Sequence, residues 1–132
     1  MKTVLTFGVF DWFHYGHLKL FQQAKSFGDR LIVAVQDGDY ILRYKPQSKI
    51  LYTTEQRLEL VKELRSVDDA VVYRSVDEDI KNIDFDIFAV GEDQTHEGFR
   101  RAEKWCRENG KEVVRLRRTP NISSSDLKRE LK

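Results

Sequence analysis

Short β-branched, apolar runs recur along this chain with helix-like stretches between them, and few folds accommodate that alternation. Residues 3–7, 31–35, 70–73, 86–90 and 112–116 read as strands of the fully buried kind. Between them, 17–27 carries Leu18, Phe21 and Ala24 at helical spacing, with Gly28 placed to end it. Thr53 with Gln56 three residues on is a capping-box pattern that opens a helix to about Arg65. Residues 76–83 read as a short helix. A further helix runs from a Thr95 cap to Asn109, stopped by Gly110, and a last one covers 123–131. Residues 37–52 show no period, contain Pro46 and read as a loop. Strand, helix, strand, repeated, requires crossover connections and a parallel sheet covered on both faces.

Composition narrows the class further. The 132 residues suit one domain, residues 1–132, able to bury about two-thirds of its unfolded surface without staples. Hydrophobic residues at 40% and charged residues at 34% exclude a wholly disordered chain. A net charge of +1 argues against a nucleic-acid binder that works through general basicity. No apolar run approaches a membrane span, so no membrane partner is expected. The single Cys106 and an N-terminus without a signal-peptide pattern point to a reduced, cytoplasmic protein.

Ligands of open parallel sheets bind beyond the carboxyl ends of the strands, so chemistry belongs in the strand-to-helix loops. The first loop holds Gly8-Val9-Phe10-Asp11-Trp12-Phe13-His14-Tyr15-Gly16-His17. Two imidazoles three residues apart, with Gly16 between, sit where a helix N-terminus offers N–H groups and a positive dipole end to phosphate. Their N–H groups can stabilise charge that builds on a phosphoryl group. The plain alternative is a pair of turn glycines with exposed polar histidines. A zinc pair is a weaker one, because zinc takes three or four protein ligands. The segment Arg118-Thr119-Pro120-Asn121-Ile122-Ser123-Ser124 offers an arginine and then hydroxyls at a second helix start, where serines also serve as caps.

The G-x-F-D-x-x-H-x-G-H pattern of residues 8–17 resembles the signature of the cytidylyltransferase branch of the nucleotidyltransferases. Class I aminoacyl-tRNA synthetases share the H-x-G-H element, but this chain is too short and lacks their lysine-rich second signature. Residues 118–124 are similar to the R-T-x-G-I-S-T segment of glycerol-3-phosphate cytidylyltransferases, with Asn121 for glycine and Ser124 for threonine. The resemblance spans essentially the whole chain. It implies a Rossmann-like three-layer α/β sandwich with a five-stranded parallel sheet, and a homodimer. It implies CTP and sn-glycerol 3-phosphate as substrates, Mg²⁺ as the accompanying metal with unknown protein ligands, and CDP-glycerol and pyrophosphate as products. Such a product feeds teichoic acid or capsule synthesis.

On the same resemblance His14 and His17 contact the nucleotide phosphates, and Val9, Phe10 and Gly16 supply contacts in that loop. Val9 stands where glycerol enzymes carry threonine. Asp11 organises the loop. Lys45, with Lys49 as second choice, closes over phosphates from the basic loop. Arg57 reaches the acceptor or nucleotide. Asp93 orders its loop or helps hold Mg²⁺. Arg118, Thr119, Ile122, Ser123 and Ser124 bind nucleotide and pyrophosphate. Arg65 and Asp68 match an R-x-V-D element near the site and dimer contact. Trp12 and Tyr15 flank the histidines as candidates for shaping the acceptor pocket, while Trp105 reads as core or interface. Gln94-Thr95-His96 replaces a tryptophan that follows the two acids in glycerol enzymes, and resembles archaeal flavin-synthesis nucleotidyltransferases. Two other readings therefore stand beside CDP-glycerol synthesis: adenylyl or cytidylyl transfer to another small phosphomonoester (polyol, sugar or flavin phosphate), and a non-catalytic nucleotide-binding regulator.

Overall fold

The computed structural model describes residues 1–118; the predicted helix over 123–131 lies outside them. Five parallel strands form one sheet in the order β3-β2-β1-β4-β5. They are β1 (Thr3–Gly8), β2 (Arg30–Gln36), β3 (Asp69–Tyr73), β4 (Ile87–Gly91) and β5 (Glu112–Leu116). The helices are α1 (Tyr15–Lys25), α2 (Gly38–Tyr44), α3 (Thr54–Lys62), α4 (Val76–Asp79) and α5 (Glu97–Glu108).

Alternation along the strands explains the three layers. Val4, Leu31 and Val33 face one way, onto Phe21 and Ala24 of α1 and Val61 of α3. Leu5, Ile32 and Ala34 face the other way, toward Val76 of α4 and Phe99, Ala102 and Cys106 of α5. Trp105 is part of that second layer, tilted 6.4 Å from Phe85.

Three expectations need correction. Residues 38–44 are helical, not loop. One buried side chain, Ile41, anchors this short helix, and a single anchor leaves no period to read. The N-cap of α5 is His96 rather than Thr95, and no side chain caps it. The 76–83 helix is one α-turn followed by a 3₁₀ turn at Ile80–Asn82. The Thr53–Gln56 capping box is present as predicted.

The order reverses at β1, which lies between β2 and β4. β1 pairs with β2 through six register positions, Thr3↔Arg30 to Gly8↔Val35. With β4 it pairs only at Val4↔Ile87 and Leu5↔Phe88. The two central strands part toward their carboxyl ends, as a switch-point crevice requires.

Candidate active site

A cavity of about 1020 Å³ opens over this crevice. Its central wall is the turn from β1 into α1. His14 is the N-cap of α1, and its Nδ1 accepts the Gly16 N–H at 2.9 Å. The Nδ1 of His17 accepts the His14 N–H at 3.2 Å. The rings stack with centroids 4.0 Å apart. With both Nδ1 atoms accepting, the hydrogen-bond network assigns the proton of each neutral ring to Nε2.

Both rings are held neutral. Burial, and then the charge of Arg118, lower the His14 pKa. Burial, and then His14, pull His17 down to about 4. This corrects one sequence expectation. The Gly16 N–H is taken by an imidazole, so the donors this turn presents are ring N–H groups rather than that helix amide.

The loop that carries them is strained and braced. Phe10 and Trp12 take φ of 55° and 51°, unusual for non-glycine residues. The buried Phe10 ring packs 4.9 Å from Phe21 and edge-on to His17. Gly8 makes room for it, since a Cβ there would lie 2.5 Å from the ring. Asp11 accepts backbone N–H bonds from Leu51 (2.5 Å) and Tyr52 (3.0 Å), which ties this loop to the approach of α3.

Arg57 completes the brace. It is fully buried and absent from the cavity wall. Its Nη1 donates to the carbonyls of Val9 (2.9 Å) and Gln36 (2.7 Å), its Nε to Tyr52 O, and its Nη2 to Thr54 Oγ1. Burial works against its charge, and Asp11 and Asp37 oppose that effect. The expected reach toward a ligand is replaced by a clamp on three backbone segments.

Val9, Phe10, Gly16, Lys45, Asp93 and Arg118 line the cavity with the two histidines. Lys45 ends α2, its N–H bonded to Ile41 O. Lys49 is off the cavity wall, and its carbonyl accepts the Trp12 indole N–H at 3.4 Å. The geometry thus favours Lys45 of the two. Trp12 and the exposed Tyr15 do not line the cavity. Asp68 lies just before β3, at the amino-terminal ends of the strands and away from the crevice, where it pairs with Lys25 and accepts the Leu31 N–H. Thr119, Ile122, Ser123 and Ser124 lie outside the described residues.

The profile of the cytidylyltransferase-like family matches residues 5–130. The chain belongs to the cytidylyltransferase-like family. It is 33% identical to the glycerol-3-phosphate cytidylyltransferase of Bacillus spizizenii, over 99% of this chain and 98% of that one. It is also 35% identical to an FAD synthase of Ferroglobus placidus, over 89% of this chain and 77% of that one. Among solved structures, the lipopolysaccharide core biosynthesis protein of Thermoplasma volcanium superposes with a TM-score of 0.76 at 26% identity, covering 90% of this chain and 98% of that one.

Three side chains that shape this cytidylyltransferase-like site carry no recognisable motif. Where β1 and β4 part, the buried Thr6 hydroxyl donates to Ala89 O at 3.0 Å. Beyond it the Gln94 amide donates to Phe7 O at 2.7 Å and accepts the Gly91 N–H at 2.9 Å. Side chains thus replace ladder bonds across the gap. Glu92 accepts the Arg118 N–H at 3.0 Å and so fixes the exit of β5. The signal for Gln94 is its place in the resemblance, where glycerol enzymes carry tryptophan; Thr6 and Glu92 give none.

Proposed function

We propose that this protein transfers a cytidylyl group from CTP to a small phosphomonoester, with sn-glycerol 3-phosphate as the first acceptor to test. An acceptor phosphate oxygen attacks the α-phosphorus. The bond from that phosphorus to its bridging oxygen breaks, and pyrophosphate leaves with the electron pair. No proton transfer or covalent enzyme intermediate is needed, so catalysis is positioning and charge stabilisation.

The observation that carries this reading is the stacked, neutral His14–His17 pair. Each ring is oriented by a backbone N–H on Nδ1, which leaves Nε2–H as a preorganised donor beside the cavity. Lys45 and Arg118 add cationic charge on either side, suited to the phosphates.

The residues present fit a phosphate-bound Mg²⁺. Among the described residues no three His, Cys, Asp or Glu side chains gather as a metal cage. Mg²⁺ in nucleotide sites takes one or two carboxylates and substrate phosphates, and keeps several waters. Of the cavity carboxylates, Asp77 is paired with Arg101 and Glu92 holds Arg118, which leaves Asp93 for the ion. When bound, the metal would neutralise charge on the phosphates.

A second reading is adenylyl transfer to a flavin phosphate. It is favoured by the FAD synthase relative and by Gln94 in place of tryptophan. Pyrophosphate release from each of the four ribonucleotides, with glycerol 3-phosphate, other polyol and sugar phosphates, and FMN, decides between them. CTP is expected to be used at least about tenfold better than ATP, or roughly 1.4 kcal/mol in kcat/KM. Preference for ATP with every acceptor rejects the cytidylyl reading. Turnover of CTP without glycerol 3-phosphate rejects only that acceptor.

A further inference from the structure

The fifth strand stays ordered past the end of its ladder. The last pair between β4 and β5 is Gly91↔Leu116, and Arg118 stands beyond it at the cavity wall. Side chains carry the strand over that interval. On the inner side the Glu92 N–H donates to Leu116 O at 3.1 Å, and its Oε1 accepts the Arg118 N–H at 3.0 Å. On the outer side β5 is the edge of the sheet, so the peptide groups of Arg117 have no strand to meet. Gln23 of α1 takes both of them. Its Oε1 accepts the Arg117 N–H at 2.7 Å, and its Nε2 donates to Arg117 O at 3.3 Å. We propose that Gln23 is a positioning residue that holds Arg118 at the cavity wall by clamping the backbone of Arg117. The inference rests on the nucleotidyl-transfer reading for what Arg118 does, and adds what places it.

The clamp decides which of two adjacent arginines meets the ligand. Successive side chains of a strand point to opposite faces. Arg115 turns to α5, where it pairs with Glu103, whereas Leu116 and Arg118 line the cavity. Arg117 is exposed and off the cavity wall. A chain free to twist beyond Leu116 would offer Arg117 as readily as Arg118. Gln23 bonds both peptide groups of one residue, and so fixes the phase that leaves Arg118 inward.

Arg118 needs such a device. Among the described residues no carboxylate forms an ion pair with its guanidinium, so its placement depends on its backbone. Burial first and then the Arg118 charge lower the His14 pKa, so the guanidinium acts on the histidine pair. A charge fixed there before the ligand arrives needs no reordering to meet phosphate. Glu92 lines the cavity, and its removal would also change the charge a ligand meets. Gln23 lies outside the cavity and isolates the placement.

The test is a double-mutant cycle of Gln23→Met and Arg118→Ala. It is read on kcat/KM for CTP and on the His14 pKa followed by NMR in the apo protein. Gln23 is half-buried on a helix, where Met keeps length and helix propensity, and thermal melting checks the fold. Gln23→Met is expected to lower kcat/KM about tenfold through the misplaced guanidinium. In the Arg118→Ala background the same change should cost less than about twofold, because the residue it works through is gone. The His14 pKa should rise in Gln23→Met and in Arg118→Ala, with no further rise in the double variant. Should Gln23→Met lose its fold, Gln23→Ala carries the same cycle. Equal losses in both backgrounds overturn the inference and leave Gln23 a merely structural residue. Unchanged kcat/KM with an unchanged His14 pKa in Gln23→Met also overturns it, and leaves the proposed function standing. A wild-type protein that turns over no nucleotide removes the proposed function, and the His14 cycle then decides the placement by itself.

Discussion

The two sides of β1 differ in a way that explains the site. Toward β2 the ladder is complete through six positions, and the shared face is apolar core. Toward β4 it ends after two positions, and Thr6 and Gln94 bridge the gap with side chains. One strand therefore serves as a rigid wall on one side and as the lip of a crevice on the other. The binding space comes from exchanging backbone bonds for side-chain bonds at the switch point, with little polar backbone left unpaired.

The rigid side can be broken at Arg57, where the largest stability effect is expected. Arg57→Met leaves the carbonyls of Val9, Gln36 and Tyr52 without their donor. Each buried acceptor left unpaired costs about 1–3 kcal/mol, so a loss of about 3–5 kcal/mol is expected in urea unfolding. Arg57→Lys should recover only part of it, because an ammonium lacks the planar fork. A loss below about 1 kcal/mol would show that the clamp is not needed.

The crevice side is tested at His17, which the proposed function places beside the reacting phosphate. Removing one preorganised donor from such a site costs roughly 10²–10³ in rate, so His17→Ala should lower kcat by that much. Near-wild-type turnover would remove His17 from the chemistry.

The same residue sets a pH dependence. Its folded pKa, about 4, lies below the ordinary 6.5, because burial and His14 disfavour the charged ring. The unfolded chain therefore binds the proton first as pH falls. Stability is full above about pH 6.5 and declines toward pH 4, by about 3 kcal/mol at most from this group. The apo protein should lose stability over this range, and His17→Gln should lose less. Parallel curves for the two proteins would refute the assignment.

Much of this organisation was legible before any coordinates. Short continuous runs of apolar and β-branched residues mark the five strands, and the spacing of His14 and His17 marks the first strand-to-helix turn as the candidate site. The capping box of α3 was equally local. What stayed hidden depends on distant partners. Arg57 reads as a helix-surface cation until the carbonyls of Val9 and Gln36 come to it. The short α2, with one buried anchor, gives no periodicity. Gln94 bonds Phe7 O, 87 residues away, and no local pattern can announce that. The turn at His14–His17 hides a further partner, because the histidine rings take up the Gly16 and His14 N–H groups of their own helix start.

The smallest expected effect tests the crevice itself. Thr6→Val keeps shape but removes the hydroxyl from Ala89 O, in a fully buried setting. Gln94→Met removes two bonds at the cavity wall, where water can reach the freed groups. A lost internal hydrogen bond costs about 1 kcal/mol net, and more where the orphaned group stays dry. Thr6→Val should therefore lower unfolding stability by about 1–2 kcal/mol, and Gln94→Met by about 1 kcal/mol. Activity should rank the other way. Gln94 joins the ends of the strands that carry the Val9–Phe10 turn and Asp93, so its loss should reduce kcat/KM about tenfold. Thr6 lies deeper and should change it less than threefold. If both variants lose activity only in proportion to stability, the side-chain bridges merely hold the fold together. If Gln94→Met alone separates the two measures, the gap between β1 and β4 is set for catalysis.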